Sequence, residues 1–297
     1  MCYTVSVMKI CEKNNDIILE DVKSFDLFNT FNCGQCFRWN YENDGFSGIA
    51  FGEFLHICQS DEKIVFKNTS LETFNRIWRH YFDLDRDYEK IKSELSRDSV
   101  LKTAIDFGGG IRILNQDAFE CLISFIISAS NNIPRIKGII ERLCLNFGEK
   151  VAISSGTYYK FPTADTLASL SLDDLAVIRA GFRDKYILAA ANAVKSGQID
   201  LLALRNASFE YAKSQLLRLP GVGEKVASCI LLFGLGKHEG FPVDVWVKRI
   251  MEYCYFDNEQ TKETISEFAK DKFGSLGGFA QQYLFYWARE NKIGIKE

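Results

Sequence analysis

Apolar and polar positions alternate in short runs over the first part of the chain and change to helical spacing afterwards. From residue 17 to about 68, the segments 37–41, 46–51, 53–58 and 63–67 are short and rich in aromatic and β-branched residues. Turn-forming triplets separate them: Asn43-Asp44-Gly45, Phe51-Gly52-Glu53 and Ser60-Asp61-Glu62. This pattern predicts an antiparallel meander. Beyond it Leu71, Phe74, Ile77, Trp78 and Tyr81 recur three or four residues apart, as on one face of a helix, behind Thr69 and Glu72 at capping-box spacing. A further helix is predicted over 86–96, and the glycines at 108–110 form a loop. Asp117 and Glu120 mark the start of an apolar helix over 118–129. Helical spacing then recurs over 134–147, 164–170, 172–179, 184–196, 208–218, 224–235, 244–255, 260–270 and 276–290. The boundary is expected near residue 100, between a β-rich part and an all-helical part. The expected class is α+β: an N-terminal antiparallel β-rich domain over 1–100, then an all-helical domain over 101–297.

Composition narrows the setting. With 47% hydrophobic residues in 297, the chain buries a substantial core and is not disordered. No apolar run approaches the roughly 20 residues that span a bilayer. The N-terminus lacks the charged-then-apolar order of a secretion leader. Nine scattered cysteines, an odd number, fit reduced thiols in a cytoplasmic or nuclear setting. The expectation is a cytoplasmic, nucleoid-associated protein if the source is bacterial and a nuclear one if eukaryotic. A net charge of −3 weighs against nucleic-acid binding, so any such surface must be local. Residues 210–250 offer one candidate, with six cations against four carboxylates.

Chemistry concentrates at Leu219-Pro-Gly-Val-Gly-Glu-Lys225, inside a helix–hairpin–helix over 208–235. Pro220 and Gly221 stop one helix, and Gly223 permits an unusual backbone angle before the next. Backbone N–H groups at such a turn, and at the helix start behind it, can bind a phosphate oxygen. A plain helix–turn–helix connection is the simpler reading of the hairpin alone. Lys225 changes the balance. The field at a helix N-terminus disfavours an ammonium there and favours the neutral amine that a nucleophile needs. Asp244 stands at the predicted start of the next helix; it is a cap, and a carboxylate held ionised there also stabilises positive charge developing on a sugar ring.

The stretch 219–250 resembles the helix–hairpin–helix glycosylase superfamily. From about Gly34 to Phe285 the chain is similar to the 8-oxoguanine DNA glycosylase/lyase family. That resemblance implies that Lys225 attacks the deoxyribose C1′ and forms a Schiff base, that β-elimination nicks the strand, and that Asp244 is the second catalytic residue. In the family a Ser-Gly-Gln-Ser-Phe-Arg-Trp run carries a glycine carbonyl that accepts from N7–H of 8-oxoguanine. The run Cys33-Gly-Gln-Cys-Phe-Arg-Trp39 matches it, and Gly34 is that glycine. Cys33-x-x-Cys36 also invites redox or zinc readings. A redox motif needs a βαβ setting, and a zinc site needs a second ligand pair, which is missing. The match implies that Gln281 binds the Watson–Crick edge, and that Phe285 and Cys229 hold the two faces of the flipped base.

The same resemblance covers the grip on DNA. Asn131, Asn132 and Arg135 match the segment that fills the gap left by the flipped nucleotide, but Ser130 replaces the asparagine that usually enters it. Phe182 stands where a wedging tyrosine is common, and Arg183 matches an arginine that reads the opposite cytosine. Gly221 and Gly223 would face phosphates. Trp246 replaces a histidine at the lesion phosphate, so that contact is expected to be lost or to pass to Lys248 or Arg249. These departures imply relaxed reading of the opposite base. Only Cys254 follows the motif, so no iron–sulfur cluster is expected. No cofactor is expected, beyond a monovalent cation that such a hairpin can hold. The expected partner is damaged double-stranded DNA, and the expected state a monomer. Two alternatives stay open: a glycosylase for an alkylated purine, which Lys225 speaks against, and a non-catalytic DNA-binding module, which leaves Lys225, Asp244, Gln281 and Gly34 without a purpose.

Overall fold

The computed structural model describes residues 2–5 (as backbone), 8–60, 63–153, 156–256 and 258–294. An antiparallel sheet and a helical body together give the α+β architecture. The strands are β1 (Cys2–Val5), β2 (Met8–Lys13), β3 (Asp16–Glu20), β4 (Trp39–Glu42), β5 (Gly45–Ala50), β6 (Glu53–Ser60) and β7 (Lys63–Lys67), in the order β1-β2-β3-β7-β6-β5-β4. The predicted meander is β4 to β7, and the sheet extends beyond it because β3, carrying β2 and β1 outside it, pairs antiparallel with β7. Asp61 and Glu62 of the third expected turn lie outside the described residues.

One sheet face is apolar because inward positions alternate along the strands. Ile10, Ile17, Leu19, Leu55, Ile57 and Phe66 are fully buried there. A helical stretch over 71–81, π-helical in its middle from Phe74 to Trp78, covers that face with Phe74, Trp78 and Phe82. Its cap is Ser70 rather than Thr69: the Ser70 side chain accepts from the Thr73 amide, while Thr69 Oγ1 donates to the Lys67 carbonyl. Helix α1 (Leu27–Asn32), capped by Asp26, adds Phe31, stacked on Trp39 at 4.4 Å.

The helical body forms a second apolar core. Its members include α2 (Tyr88–Leu95), α3 (Ser99–Gly108), α4 (Ala118–Ser128), α5 (Ile133–Phe147) and α6 (Asp184–Lys195), then α7 (Phe209–Leu216), α8 (Glu224–Phe233), α9 (Val245–Tyr255), α10 (Lys262–Phe273) and α11 (Gly277–Glu290). Besides β1, β2 and α1, the sequence pattern missed α3, a short helix Leu201–Asn206 and a hairpin of β8 (Lys150–Ile153) with β9 (Gly156–Tyr159). Asp117 does cap α4, accepting from the amides of Phe119 and Glu120. Glu120 turns instead to Arg38, at 3.3 Å, and burial pushes its carboxyl up to about 7 against the pull of that guanidinium.

The segment between α1 and β4 threads the seam of the two cores. Cys33 and Phe37 belong to the helical core, whereas Cys36 and Trp39 belong to the sheet core. Gln35 pins it there. Its amide nitrogen donates to the carbonyls of Thr30 and Arg112, its oxygen accepts from the Leu114 amide, and its own carbonyl accepts from Gln116 Nε2. Every polar group of this buried amide is satisfied, so the loop carrying Gly34 is rigidly placed.

Cysteine chemistry follows burial. Desolvation pushes the Cys33 thiol up to about 11 and raises Cys36 further still, each thiol being buried in its own core. Cys11 departs from the expectation of reduced thiols throughout, being disulfide-bonded.

Candidate active site

The hairpin builds the site from two helix ends. Helix α7 ends at Leu216, and α8 starts at Glu224. The left-handed backbone angle falls on Gly221, with φ of +83°, where an added Cβ would stand 2.5 Å from the Tyr186 ring. Only glycine fits that turn. Gly223, expected to carry the unusual angle, is instead the extended N-cap of α8, with open space around it. It therefore leaves the first amides of α8 without a side-chain cap, open to an external acceptor.

Lys225 projects from this first turn. Its Nζ lies 3.4 Å from Ser128 Oγ and 5.2 Å above the centre of the Phe125 ring. Phe125 in turn stacks on Phe233 at 5.5 Å, so the amine rests on an aromatic floor made by α4 and α8. Asp244 caps α9, its Oδ1 accepting from the Val247 amide at 2.8 Å. Four residues along α8 from Lys225 lies Cys229. Burial pushes its thiol up to about 11, opposed by the positive charge and hydrogen bond of Lys225.

Lys225, Asp244, Cys229, Gly34, Gln281 and Phe285 line one cavity. The first four come from three segments of the chain, Lys225 and Cys229 both lying on α8, so their convergence is a tertiary fact. Gln281 and Phe285 share a face of α11, one turn apart. Gln281 is buried, and among the described residues its Oε1 has no hydrogen-bond partner. A buried acceptor left open at a cavity is costly unless a ligand donor meets it. The cavity measures about 40 Å³. That is room for roughly two or three waters, far short of a purine, so base entry must move a wall. Phe285, half-buried, forms one wall and rests against Gly34.

Comparison with known proteins agrees with this geometry. Residues 17–122 match the family described as 8-oxoguanine DNA glycosylase, N-terminal domain. Residues 123–274 match the HhH-GPD superfamily of base excision DNA repair proteins. A solved structure of MBOgg1 in complex with a low-affinity DNA ligand superposes with a TM-score of 0.94 at 45% identity, over 96% of this chain and 99% of that one. The Clostridium acetobutylicum 8-oxoguanine glycosylase/lyase, in complex with double-stranded DNA containing cytosine opposite 8-oxoG, gives 0.93 at 44% identity, over 96% and 98%. The Arabidopsis thaliana N-glycosylase/DNA lyase OGG1 is 31% identical over 277 residues, 86% of this chain and 75% of that protein. The chain belongs to the 8-oxoguanine DNA glycosylase family.

Against that family pattern, the candidate DNA-gripping residues divide. Asn132 caps α5 through the Arg135 amide, and Asn131 donates to the Ile127 carbonyl; both side chains shape the loop. Arg135 is exposed. Phe182 is 58% exposed on a 3-10 turn, packed edge-on to Tyr186, as a wedge must be. Arg183 is not available as expected. It is 2% exposed and turned inward, donating to the carbonyls of Ala129, Ser130 and Ala180. In this state it braces the loop of Ala129 and Ser130 instead of facing outward. Lys248 is likewise held, 2.9 Å from Glu252, while Trp246 packs under the Arg249 guanidinium at 5.4 Å.

The local positive surplus expected around the hairpin is smaller than its count. Lys237 is buried and donates to the carbonyls of Arg205 and Ala207, and Lys213 pairs with Glu224 at 2.7 Å. Residues that the sequence pattern did not single out also shape the site of this glycosylase-family chain. Phe125, Phe233 and Ser128 form the floor under Lys225, and Arg289 backs Phe285 at 5.2 Å. Arg289 had one readable signal: Gln281, Phe285 and Arg289 follow each other at four-residue steps.

Proposed function

We propose that this chain is a bifunctional base-excision enzyme that flips 8-oxoguanine out of duplex DNA, excises it and nicks the strand. The observation that carries this reading is the convergence of an amine, a carboxylate and the groups Gly34, Cys229, Gln281 and Phe285 on one cavity, with the Gln281 acceptor unpaired among the described residues.

The chemistry follows from those groups. The Lys225 amine adds to C1′ as the bond from C1′ to N9 breaks, and the bonding pair leaves with the base, which takes up a proton. The Asp244 carboxylate stabilises positive charge on the sugar during that exchange. Ring opening gives a Schiff base between Lys225 and the sugar. Loss of a 2′ proton then expels the 3′ phosphate, and water releases the lysine. No cofactor enters this scheme.

Recognition rests on hydrogen-bond polarity. The Gly34 carbonyl accepts from N7–H of the oxidised base, whereas ordinary guanine presents a lone pair there and is repelled. Gln281 Oε1 accepts from the N–H groups on the Watson–Crick edge. Phe285 and Cys229 close on the two faces, and the cost of unstacking is a few kcal/mol. Exposed Phe182 fills the gap as an apolar wedge. Ser130 in place of a gap-filling asparagine, and Arg183 committed to backbone carbonyls, favour relaxed reading of the opposite base. The enzyme works as a monomer in the compartment that holds the DNA.

The test is borohydride trapping with an 8-oxoguanine duplex, alongside excision across the four opposite bases. Wild-type protein is expected to form the covalent adduct and Lys225→Gln to form none. An unchanged adduct yield from Lys225→Gln would refute the nucleophile assignment.

A further inference from the structure

We propose that Arg289 is a positioning residue that sets lesion recognition by tying the Gly34 wall of the base pocket to the Phe285 wall. The inference rests on the pocket assignment above and adds a residue to it.

Four observations meet at this side chain. Arg289 lies one turn beyond Phe285 on α11 and is 17% exposed. Its Nη2 donates to the Asn32 carbonyl, two residues before Gly34. Its guanidinium carbon stands 5.2 Å from the centre of the Phe285 ring. Its Nη1 is buried without a partner among the described residues, 3.4 Å from the point a Cβ on Gly34 would occupy. One planar cation, ion-paired with Glu290 at 2.8 Å, therefore touches the loop that presents the Gly34 carbonyl and the ring that would stack on the base.

The arrangement is more than a structural tie. A purely structural buried guanidinium is expected to have its donors satisfied, because an orphaned buried N–H is costly. Here one is left open beside Gly34. A neutral apolar side chain would fill the same space without that cost. What the charge adds is a directional hold on two elements at once, through a charge-assisted hydrogen bond and a cation–π contact. The Phe285 ring must leave the Gly34 edge to admit a purine. It then moves against a guanidinium anchored to the Gly34 loop, so the ring's motion is guided while the carbonyl, held beside Gln35, keeps its place. A hydrogen bond to N7–H discriminates only if that carbonyl stays within a few tenths of an ångström of its place.

Arg289 touches neither Lys225 nor the cavity itself, so its loss should act on lesion capture and not on the amine. The experiment compares wild type, Arg289→Met, Arg289→Lys and Phe285→Ala in single-turnover excision over a range of enzyme concentrations. A second arm traps each with borohydride on a duplex that already holds an abasic site, where no base needs to be held. Arg289→Met is expected to process 8-oxoguanine roughly tenfold less efficiently, through a raised half-saturation concentration. Its abasic-site trapping should be unchanged, which also certifies its fold. Arg289→Lys should recover part of the loss. Wild-type excision by Arg289→Met, with Phe285→Ala impaired, overturns this inference alone. Abasic-site trapping that falls in step with excision overturns it in favour of a folding role. Full excision by Phe285→Ala overturns the pocket reading and the role of Arg289 with it.

Discussion

The edge of the Phe285 ring, at Cε1, lies 3.1 Å from the point where a Cβ on Gly34 would stand. Gly34 also has φ of +80°, a conformation that costs an L-residue about 1–2 kcal/mol. Gly34→Ala therefore strains the loop and pushes the ring away from its resting place. Gln35, bound on all sides, will not let the loop relax. We expect 8-oxoguanine excision to fall by roughly a hundredfold, the usual cost of misplacing a reacting or reading group by about 1 Å. Lyase activity on an abasic site should persist, and the melting temperature should drop by about 2–4 °C. Wild-type excision kinetics in Gly34→Ala would exclude Gly34 from the reading of the base.

Asp244 does two jobs that substitution can separate. It caps α9 through the Val247 amide, and it lines the cavity with Lys225. Asparagine caps about as well as aspartate, whereas alanine costs about 1 kcal/mol. Asp244→Asn should thus melt like wild type and lose roughly a hundredfold or more in excision, as when a preorganised electrostatic group is removed. Asp244→Ala should lose both activity and stability. Thermal melts paired with single-turnover rates make the comparison. If Asp244→Asn excises at the wild-type rate, the carboxylate is only a cap.

Local signals made the centre of this site legible, and long-range ones hid its surroundings. Pro220, Gly221 and Lys225 at a helix start, and Asp244 at the next, are punctuation that needs no tertiary knowledge. The meander was legible because its turns fall between runs of period two, whereas β8 and β9 are four-residue strands with little apolar content. Side-chain direction was not readable at all. Arg183 and Lys237 look like surface cations until the backbone carbonyls of Ala129 and Ala207 are brought beside them. Phe125 reads as one more apolar residue of α4 until α8 sets Lys225 above it. Gly223 was credited with the strained angle that belongs to Gly221, because both satisfy the pattern and only the approach of Tyr186 distinguishes them.

Ser130 holds φ of +48° at the tip of the loop braced by Arg183, and its side chain is exposed. Asparagine visits this left-handed region more readily than serine. Ser130→Asn should therefore stabilise the protein slightly, by about 0.5 kcal/mol. It also supplies a longer amide that can enter the gap left by a flipped nucleotide. We expect excision opposite cytosine to gain on excision opposite the other three bases. Measuring all four opposite bases in wild type and variant checks this. An unchanged set of ratios would show that residue 130 does not read the partner strand.

His238 couples acid stability to the site. It stacks face to face on Phe279 at 5.0 Å, and its Nε2 is buried without a partner. Its carbonyl accepts from the Gly278 amide at 2.7 Å, which fastens the loop before Asp244 to the start of α11. Burial, helped by the Arg86 charge, lowers its pKa from 6.5 to about 4. The folded value is the depressed one, so the unfolded chain binds the extra proton between these two values. The stabilisation is therefore present above pH 6.5 and is lost as pH falls toward 4. Its size is about 1–3 kcal/mol, since a full pKa unit is worth about 1.4 kcal/mol and the ring keeps some contact with water. His238→Gln cannot titrate in this range, so its melting temperature should fall less steeply than that of wild type between pH 6.5 and 4. Parallel curves for the two proteins over that window would mean that His238 is not the group whose protonation strains the fold.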